Sequence, residues 1–502
     1  MQDQAPDTAP RRTPQRFPGT VVHLVSEYWP YARTGGLAEA VRGIAHHQAL
    51  AGFPTHVILP LYKRVRETFP DLEPSDAPPF DVPVGGQAYR ARMWRHRVRD
   101  DEPVVHFVEN DHFFNRDGLY GDDHGDFGDN PWRYAFYCRA ALHWLPHISP
   151  GTTLVHAHDW HTSLAPVYAR AVLRDDRYYR RVPFVLTVHN AGYQGYYGPE
   201  LIRELDLPGW LYRPEYMEWQ SRTNLLKGGL VFSDMVTTVS PTHAHELRTD
   251  MGGFGLDDTF RKLGDRLVGI LNGIDYGVWN PSADPGVAAP FSRDDLTGKA
   301  RNKAWLQEAA GLVQAPDAPL FGMTARLAQQ KGFDILLDSG IVTEPGAQWV
   351  FLGEGEARYR NALQALADAY PDRVAAFFEF TEEREHRLLG GADFLLMPSL
   401  YEPCGLTQMR SQRYGALPIV RRVGGLADTV EDRVTGFVFD EYEGWALADA
   451  IRHAIDLYRD RDQWEEHVRE AMSRDFSWEA SVDRYQAVYA RAMRRCEEQA
   501  ER

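Results

Sequence analysis

Residues 394–408 read FLLMPSLYEPCGLTQ, and this stretch decides the predicted fold. Its four leading apolar residues predict a buried strand, Glu402 lies in the turn that follows, and a helix is expected to begin near Thr407. The free backbone amides at Leu406 and Thr407 would point the positive end of the helix dipole toward the carboxyl end of the strand. A strand, a polar turn and a helix in this order are typical of a βαβ unit in a parallel sheet.

Short apolar runs alternate with amphipathic stretches along the rest of the chain, which indicates βαβ units in series. The predicted strands of a first series comprise residues 21–25, 55–59, 104–108, 154–157, 184–188 and 235–239. Those of a second series comprise residues 268–271, 320–323, 349–352, 374–378, 394–397 and 418–420. We therefore predict an α/β fold with two Rossmann-like, doubly wound parallel-sheet domains that face each other across a cleft. The predicted N-terminal domain spans residues 19–267, and the C-terminal domain spans residues 268–477.

Composition and charge restrict the kind of partner that the protein can have. The chain of 502 residues exceeds the size at which one hydrophobic core keeps growing, which agrees with two domains. A formal charge of −16 argues against nucleic acid and anionic membranes as partners, because both attract clustered Lys and Arg. The three cysteines are too few for a disulfide framework or a Cys-rich zinc site.

The N-terminal residues 1–18 are rich in Pro, Gln, Thr, Asp and Arg and lack the apolar core of a signal peptide. We interpret them as a flexible tail. No apolar run in the sequence approaches the roughly 20 residues that cross a bilayer, so we expect a cytoplasmic protein.

The loop at residues 26–39 follows the first predicted strand and contains paired glycines before an apolar helical stretch. Backbone without side chains at Gly35 and Gly36 would let a phosphate approach closely, and Arg33 adds a positive charge. A Gly-Gly pair is more often only a tight turn, so both interpretations stay open here.

Residues 155–161 read VHAHDWH and contain three histidines at a strand end. His156 and His158 have the spacing of a metal-ligand pair, which supports a metal-dependent hydrolase as a rival hypothesis. We favour local hydrogen bonding by these histidines, because no clear carboxylate-rich partner set accompanies them. Asp159, just beyond the strand, is a candidate to face a sugar or an acceptor.

Another polar loop, residues 189–195, reads HNAGYQG and follows a predicted strand. His189 and Asn190 combine hydrogen-bond donors and acceptors, as the binding of sugar hydroxyl groups requires. A lone histidine at such a position is structural as often as it is functional, so this motif carries weight only in combination with the others.

In the second series, residues 324–332 read TARLAQQKG and lie at the end of a predicted strand. Arg326 and Lys331 would therefore lie where a diphosphate can be clamped. Most cations are solvated surface charges, but a pair at this position in an acidic protein favours anion binding. The stretch lacks the Gly-x-x-x-x-Gly-Lys-Ser/Thr pattern of a phosphate-binding loop, so ATP hydrolysis is not implied.

Together these motifs resemble those of the bacterial glycogen and starch synthases, from about Val21 to the last helix. Residues 33–37 (RTGGL) resemble the Lys-Thr-Gly-Gly-Leu signature of the family, and residues 158–161 resemble its first-domain acidic motif. Residues 271–275 (LNGID) resemble its inter-domain Asn-Gly motif. Residues 326–332 and 402–408 match its Arg-Leu-x-x-Gln-Lys-Gly and Glu-Pro-Cys-Gly-Leu-Thr-Gln motifs completely.

The resemblance implies a retaining glycosyltransferase with the glycosyltransferase B fold. It would transfer glucose from a nucleotide-glucose, with ADP-glucose favoured over UDP-glucose, to the nonreducing end of an α-1,4-glucan, without a metal or other cofactor. The N-terminal domain would lie on the acceptor side and the C-terminal domain would bind the nucleotide sugar. The helix at residues 478–502 would return to the N-terminal domain. The expected partners are this donor and the glucan, with no nucleic acid and no membrane.

The resemblance also implies roles for the matching residues. Arg326 and Lys331 would hold the diphosphate, Glu402 would act at the glucose, and His189 would lie beside the anomeric carbon. The other predicted substrate-binding residues are Arg33, Gly35, Gly36, Asp159, Asn190, Asn272, Cys404, Gly405, Leu406 and Thr407. We prefer same-face substitution to a covalent glucosyl intermediate, because no second carboxylate accompanies Glu402 in its motif.

The chain departs from the family pattern at two places. Arg33 replaces the signature lysine, which keeps the charge but changes the reach and the hydrogen-bond geometry. The loop after Asn190 also differs, since it reads Ala191-Gly192-Tyr193. We expect activity to survive both changes. A catalytically silent glucan-binding protein of the same fold is the alternative, and the intact Arg326, Lys331 and Glu402 argue against it.

Overall fold

The computed structural model describes residues 19–97, 99 and 101–501, and the predicted tail at residues 1–18 lies outside them. Among the described residues, no helix is long and apolar enough to cross a membrane. The chain forms two compact units. The first contains the described residues up to Leu186, Gly195–Asp234 and the chain from Gln486 onward, and the second contains Thr187–Gln194 and Met235–Tyr485. The predicted domain boundaries at residues 267 and 477 stay predictions.

Strands and helices alternate along the first part of the chain, as the apolar pattern predicts. Three short connections are a π-helical turn at Tyr168–Val172 and 3-10 turns at Tyr179–Arg181 and Gly209–Leu211. The elements are β1 (Thr20–Leu24), α1 (Gly36–Leu50), β2 (Thr55–Pro60), α2 (Lys63–Thr68), β3 (Glu73–Pro74), β4 (Phe80–Val84), β5 (Gln87–His96), β6 (Val104–Glu109), α3 (Asp111–Phe114), β7 (Gly121–Asp122), β8 (Gly125–Asp126), α4 (Asn130–Ile148), β9 (Thr153–His158), α5 (Leu164–Val167), β10 (Phe184–Val188), β11 (Tyr196–Tyr197), α6 (Leu201–Glu204), β12 (Glu218–Trp219), β13 (Arg222–Asn224) and α7 (Leu225–Phe232).

The main sheet of the first unit has the strand order β10-β9-β1-β2-β6-β5-β3, with β4 paired to β5. Strand β1 runs parallel to β2, with Val21 opposite Thr55, and parallel to β9, with Val21 opposite Leu154. Strands β3, β4 and β5 form an antiparallel edge that the sequence pattern did not reveal. Because the strand order reverses at β1, the crevice for a ligand lies at the carboxyl ends of β1 and β9.

The second unit contains the second series of strands. The sheet order β18-β17-β16-β19-β20-β21 places its switch point between β16 and β19. The elements are β14 (Met235–Thr238), α8 (Pro241–Glu246), α9 (Asp257–Leu263), β15 (Leu267–Gly269), α10 (Thr297–Ala309), β16 (Leu320–Thr324), α11 (Phe333–Asp338), β17 (Gln348–Leu352), α12 (Ala357–Ala369), β18 (Val374–Phe377), α13 (Glu382–Gly391), β19 (Phe394–Met397), α14 (Thr407–Arg413), β20 (Leu417–Arg421), α15 (Gly424–Thr429), β21 (Phe437–Phe439), α16 (Gly444–Arg459), α17 (Arg461–Ser473) and α18 (Trp478–Ala500). Short 3-10 turns occur at Gly264–Arg266, Gln329–Lys331 and Ile341–Thr343.

All strands of the six-stranded sheet are parallel, and the predicted α/β class with parallel sheets is confirmed. Every strand predicted from the two series of apolar runs is present, within one or two residues at most ends. The core of this sheet is aromatic at its centre, where the Phe321 ring stacks on Trp349 at 4.6 Å and on Phe394 at 5.1 Å. These three side chains bury large apolar surfaces and hold β16, β17 and β19 together.

Burial also affects the charge of several histidines. Desolvation lowers the pKa of His23 and His56 to about 4. It lowers the pKa of His106, His161 and His189 to about 3. These five imidazoles are therefore neutral in the folded protein near neutral pH.

We predict that the free energy of unfolding decreases as the pH is lowered from about 7 to about 5. Below the unfolded-state pKa of about 6.5, the unfolded chain binds protons at these histidines, whereas the folded chain does not until far lower pH. Each buried histidine therefore lowers the free energy of unfolding by at most about 1.4 kcal/mol per pH unit, and this limiting slope is approached only below about pH 6.5. Urea-induced unfolding at several pH values measures the slope.

His106→Phe should reduce the number of protons taken up on unfolding by about one, because it removes one neutral buried imidazole. The free energy of unfolding should then depend less steeply on pH. The matched control is His124→Gln, since His124 is exposed and should leave the slope unchanged. An unfolding free energy that stays constant over this pH range would contradict the prediction.

Candidate active site

Two loops meet at the switch point of the second unit, one after β16 and one after β19. Lys331 Nζ lies 2.6 Å from Glu402 Oε2. Ser399 Oγ donates to the same carboxylate oxygen at 3.2 Å. Glu402 is only 7% exposed, so the pair lies at low dielectric, where a charge-assisted hydrogen bond is strong. The structure thus brings the predicted carboxylate and one of the two predicted cations into direct contact.

Gly332 allows these two loops to approach backbone to backbone. Its φ is +81°, and a Cβ added there would lie 2.1 Å from the Pro398 carbonyl oxygen. Next to it, the Leu400 amide donates to the Gln330 carbonyl at 2.8 Å. A side chain at position 332 would force the loops apart, so the Lys331–Glu402 contact depends on this glycine.

A third loop, after β20, packs behind Glu402. A Cβ added to Gly424 would lie 1.9 Å from the Glu402 carbonyl oxygen, and one added to Gly425 would lie 2.1 Å from the Cys404 carbonyl oxygen. The Gly425 amide donates to the Glu402 carbonyl at 3.2 Å. Sequence reasoning missed both glycines, although they follow a strand of the parallel sheet, where functional loops are expected.

Arg326, the second predicted cation, is exposed at the same switch point. Its Nη2 lies 3.4 Å from Gln330 Oε1, which belongs to the same loop as Lys331. Arg326 therefore presents its charge to solvent, whereas Lys331 presents its charge to a carboxylate.

The start of α14 offers unused backbone donors. Within the described part of the chain, the amides of Leu406 and Thr407 donate to no protein acceptor, and no side chain caps the helix. Gly405, directly before them, has a φ of +69° and turns the chain into the helix. These amides remain available to an anion at the carboxyl end of β19.

Cys404 and Asn272, which the sequence predicts to be substrate-binding residues, are in contact through the Asn272 backbone. The Asn272 amide hydrogen bonds with the Cys404 thiol, and burial raises the pKa of that thiol to about 12. Cys404 is therefore an uncharged thiol and a poor nucleophile. Among the described residues, the buried Asn272 Oδ1 has no hydrogen-bond partner. A buried polar atom without a partner is uncommon, and this one can accept a hydrogen bond from a ligand.

The His189–Asn190 loop is tied to the Glu402 loop. Asn190 hydrogen bonds with the Tyr401 hydroxyl, and its Oδ1 accepts from the Gly192 amide at 2.9 Å. His189 keeps some surface open to solvent, yet desolvation lowers its pKa to about 3. The neutral imidazole can donate one hydrogen bond and accept another, which suits a sugar hydroxyl group.

In the first unit, Glu27 organises the loop after β1. Its carboxylate accepts from the Thr34 amide at 2.6 Å, from Thr34 Oγ1 at 2.6 Å and from the Gly35 amide at 3.3 Å. The Tyr120 hydroxyl donates to it at 2.8 Å. Glu27 is 3% exposed, and sequence reasoning gave it no role although it lies in the loop that follows β1 at the switch point. It fixes the backbone of the loop that carries the three predicted residues.

Those three residues are Arg33, Gly35 and Gly36. Arg33 Nη2 pairs with Glu39 Oε1 at 2.8 Å, and its guanidinium lies 5.5 Å from the centre of the Trp29 ring. Among the described residues, and apart from the adjacent backbone, no atom lies within 4 Å of a Cβ added at Gly35 or Gly36. Protein packing does not require glycine at these positions, so a ligand has room to approach the start of α1, where the Gly35 amide already donates to Glu27.

His23 joins His156 and His158 in a buried cluster that the sequence spacing did not reveal. One ring nitrogen of each lies within 4.8 Å of the others. Gln48 Nε2 donates to the Tyr489 hydroxyl, so Gln48 Oε1 accepts from His23 Nε2 at 2.8 Å. The Tyr489 hydroxyl then donates to His156 Nδ1 at 2.8 Å, and His158 Nε2 donates to His23 Nδ1 at 3.0 Å. In these tautomers His156 Nδ1 and His158 Nε2 are engaged in structural hydrogen bonds, which argues against the metal-dependent hydrolase hypothesis.

Asp159 lies directly after β9 with a φ of 57° and is 8% exposed. A positive φ is uncommon for a residue with a side chain, and such residues cluster at functional sites. The neighbouring Trp160 packs so closely on Gly195 that a Cβ there would lie 2.4 Å from the indole ring. The structure therefore places Asp159 at the switch point of the first unit, beside the loop held by Glu27.

Two family models match the chain. The starch synthase catalytic domain matches residues 20–262, and the glycosyl transferases group 1 model matches residues 308–471. The glycogen synthase of Thermodesulfovibrio yellowstonii is 38% identical over 482 residues, which cover 93% of this chain and 96% of the relative. The glycogen synthase of an Anaeromyxobacter species is 40% identical over 476 residues, which cover 93% of this chain and 98% of the relative.

Solved structures agree with these relatives. The catalytic domain of starch synthase IV from Arabidopsis thaliana, bound to ADP and acarbose, superposes with a TM-score of 0.84 at 32% identity and covers 95% of this chain and 99% of its own. Sucrose-phosphate synthase from Thermosynechococcus elongatus, with a TM-score of 0.59 at 18% identity over 94% of this chain and 98% of its own, shares the fold. The predicted glycosyltransferase B fold is thereby confirmed. The chain belongs to the bacterial glycogen and starch synthase family of glycosyltransferases.

Proposed function

We propose that this glycosyltransferase uses ADP-glucose as its donor and extends the nonreducing end of an α-1,4-glucan with retention of configuration. The observation that carries the proposal is the Lys331–Glu402 contact of 2.6 Å at the switch point of the second unit. The Arabidopsis relative was solved with ADP and acarbose, which supports an adenine nucleotide and a glucan as substrates. All three cysteines are free thiols, which suits a reducing cytoplasm as the place of action.

The second unit would stabilise the departing diphosphate. When the bond between glucose C1 and the phosphate oxygen breaks, negative charge grows on the leaving group. Arg326 and Lys331 would bind this charge as cations, and the amides of Leu406 and Thr407 would bind it as hydrogen-bond donors. Lys331 would then bridge the diphosphate and Glu402, which leaves Glu402 oriented toward the glucose hydroxyl groups. Stabilisation that grows with the charge accelerates the chemical step rather than only substrate binding.

The groups that would surround the glucose indicate where the proton of the acceptor hydroxyl goes. The glucan 4-hydroxyl oxygen forms the new bond to C1 on the same face from which the phosphate departs, and its proton passes to a leaving phosphate oxygen. Cys404 is protonated and buried, so it is not the nucleophile. His189, neutral beside the anomeric carbon, would hydrogen bond with the sugar and orient it. Asn190 and Asn272 would complete the donor contacts.

The first unit would supply the remaining substrate contacts. Arg33 and the backbone at Gly35 and Gly36 form an open, positively charged loop end, which suits a phosphate or a sugar. Asp159 would accept hydrogen bonds from hydroxyl groups of the glucan. Glu27 does not need to touch the substrate, since its hydrogen bonds hold the loop in place.

We predict that Glu402→Gln and Lys331→Ala each lower kcat by about 10²- to 10³-fold, because each removes a group that acts on the developing charge or on the glucose. The measurement is release of ADP or UDP from the two glucose donors with glycogen present, with and without a chelator. Release of ADP that resists the chelator is expected for the unmodified protein.

The matched control is Glu383→Gln, which breaks the surface ion pair of 3.0 Å between Glu383 and Arg387 and should leave the rate unchanged. Preference for UDP-glucose would contradict the proposed donor. Glycogen binding without turnover of either donor would support a silent glucan-binding protein instead.

Substitution of Arg33 tests the departure from the family signature. Arg33→Lys restores the family residue and should keep kcat/KM within about threefold, because the positive charge is retained. Arg33→Ala should lower kcat/KM by about tenfold or more, because a charge-assisted contact to the substrate is lost. The control is Arg64→Ala, since Arg64 is exposed on helix α2. Equal activity of the Lys and Ala variants would show that the charge at position 33 is not used.

A further inference from the structure

Two short helices of the second unit, α8 and α15, cap each other through carboxylates. Glu246, the last residue of α8, accepts a hydrogen bond from the Gly424 amide at the start of α15, and its Oε1 lies 2.8 Å from the amide nitrogen. In the opposite direction, Asp428 of α15 accepts from the Thr242 amide at 2.9 Å and from Thr242 Oγ1 at 2.7 Å, near the start of α8. Charge-assisted hydrogen bonds in both directions therefore hold the two helices together.

Glu246 provides a cap that α15 lacks by itself. The first amides of a helix have no partner within the helix, and the side chain of the N-cap residue usually accepts from one of them. The N-cap residue of α15 is Val423, whose side chain has no hydrogen-bonding group and makes no cap bond. A side chain 178 positions earlier in the sequence takes the place of the local cap. Sequence reasoning gave Glu246 no role, because no local pattern links it to α15.

His243 orients the carboxylate of Glu246. The imidazole is buried, and its Nδ1 lies 3.2 Å from Glu246 Oε2. Because an ionised carboxylate only accepts hydrogen bonds, Nδ1 carries the proton and donates to it. The Glu246 side chain is 28% exposed, so it is largely shielded from water. Each carboxylate oxygen thus has its own protein donor, and Oε1 is kept toward Gly424.

The hydrogen bond to Gly424 is important because the next residue contacts Glu402. The Gly424 amide donates to Glu246, and the Gly425 amide donates to the Glu402 carbonyl at 3.2 Å. Gly424 has a φ of +42°, and a Cβ added there would lie 1.9 Å from the same carbonyl oxygen. Two consecutive amides therefore connect α8 with the backbone of the candidate active-site carboxylate. A shift of α15 away from α8 would withdraw the support behind Glu402.

Glu246 also distinguishes the two helices that begin at this edge of the sheet, α14 after β19 and α15 after β20. Within the described part of the chain, the amides of Leu406 and Thr407 at the start of α14 donate to no protein acceptor. The Gly424 amide at the start of α15 is occupied by a carboxylate, which would repel a second anion there. This difference favours binding of a diphosphate at α14, on the side of Lys331 and Glu402.

We propose that Glu246 is a positioning residue for glucose transfer, which holds Gly424 and thereby supports the backbone of Glu402. The inference rests on the proposed function, because it assumes that Glu402 acts at the glucose. Glu246 does not touch the substrate in this role. Its loss would let the support behind Glu402 relax, and a small displacement of that carboxylate weakens contacts that form only in the transition state. The effect is therefore on kcat rather than on KM.

The test measures kcat and the KM for ADP-glucose with glycogen as the acceptor. Glu246→Ala should lower kcat by about tenfold or more and leave this KM within about twofold, because Glu402 is displaced from the bound donor. Glu246→Gln should keep kcat within about threefold, since its amide oxygen can still accept from the Gly424 amide. Its amide nitrogen can donate to His243 Nδ1 in the other tautomer. This rescue separates the hydrogen bond from the charge.

Asp428→Ala is the matched comparison, because it removes the other contact between α8 and α15 and leaves the hydrogen bond between Glu246 and Gly424 in place. It should lower kcat by no more than about threefold. His245→Ala, which changes an exposed residue of α8, should leave both constants unchanged. Thermal melting shows whether each variant is folded. If Glu246→Ala is not, Glu246→Asp takes its place, since the shorter side chain withdraws the carboxylate from the Gly424 amide.

Three results for a folded Glu246→Ala variant would overturn the role of Glu246 and leave the proposed function standing. They are an unchanged kcat, a higher KM without a change in kcat, and a loss of kcat that Asp428→Ala equals. If the unmodified protein uses UDP-glucose instead, the proposed donor is rejected, and the same comparison with UDP-glucose decides the role of Glu246. Turnover of neither donor would reject the proposed function and this inference together.

Discussion

The close packing of three strand-end loops around Glu402 is the constraint on which the rest of the second unit depends. Gly332 lets the loop after β16 touch the loop after β19, and Gly424 and Gly425 let the loop after β20 touch the same stretch from behind. Each of these contacts is between backbone atoms at distances that exclude a Cβ. Because the loops cannot separate without losing these contacts, the Lys331 ammonium and the Glu402 carboxylate are held in place before any ligand arrives. Electrostatic stabilisation of a transition state needs such preorganisation.

The negative charge of the protein explains why the site relies on cations and backbone amides at short range. A chain with a formal charge of −16 repels a nucleoside diphosphate at long range, so the binding energy has to come from short contacts. Arg326 and the amides at the start of α14 are open to such contacts, and Lys331 is close by but already paired with Glu402. The pairing offsets the cost of burying the carboxylate, and it also orients the lysine. In the proposed function, the same carboxylate would contact the glucose once a diphosphate shares the lysine.

In the first unit too, a loop at the switch point is held in place by the protein, but by different contacts. Its switch point lies between β1 and β9, and the loop after β1 is fixed by the buried Glu27 rather than by glycine contacts. His156 and His158 in β9 suggest a metal site when only their spacing is considered. In three dimensions they belong to a chain of hydrogen bonds through Gln48 and Tyr489. The orientation of the Gln48 side-chain amide sets the tautomer of each histidine in this chain. A cluster that looks reactive in sequence is thus a structural element that ties α18 to β9.

The sequence by itself determined the α/β class, the strands of the two series and the family, because apolar periodicity and complete motifs are local properties of the chain. It also placed Arg326, Lys331 and Glu402 at strand ends, where parallel sheets bind ligands. Only the tertiary structure decided that Lys331 and Glu402 touch, that His23 completes the histidine cluster, and that Glu27 holds the loop of Arg33. It also revealed the small sheet of β11, β13 and β12, whose strands are too short to show a sequence period. The physical reason is that strand order and backbone approach are long-range properties: residues 71 positions apart meet because β16 and β19 are neighbours in the sheet.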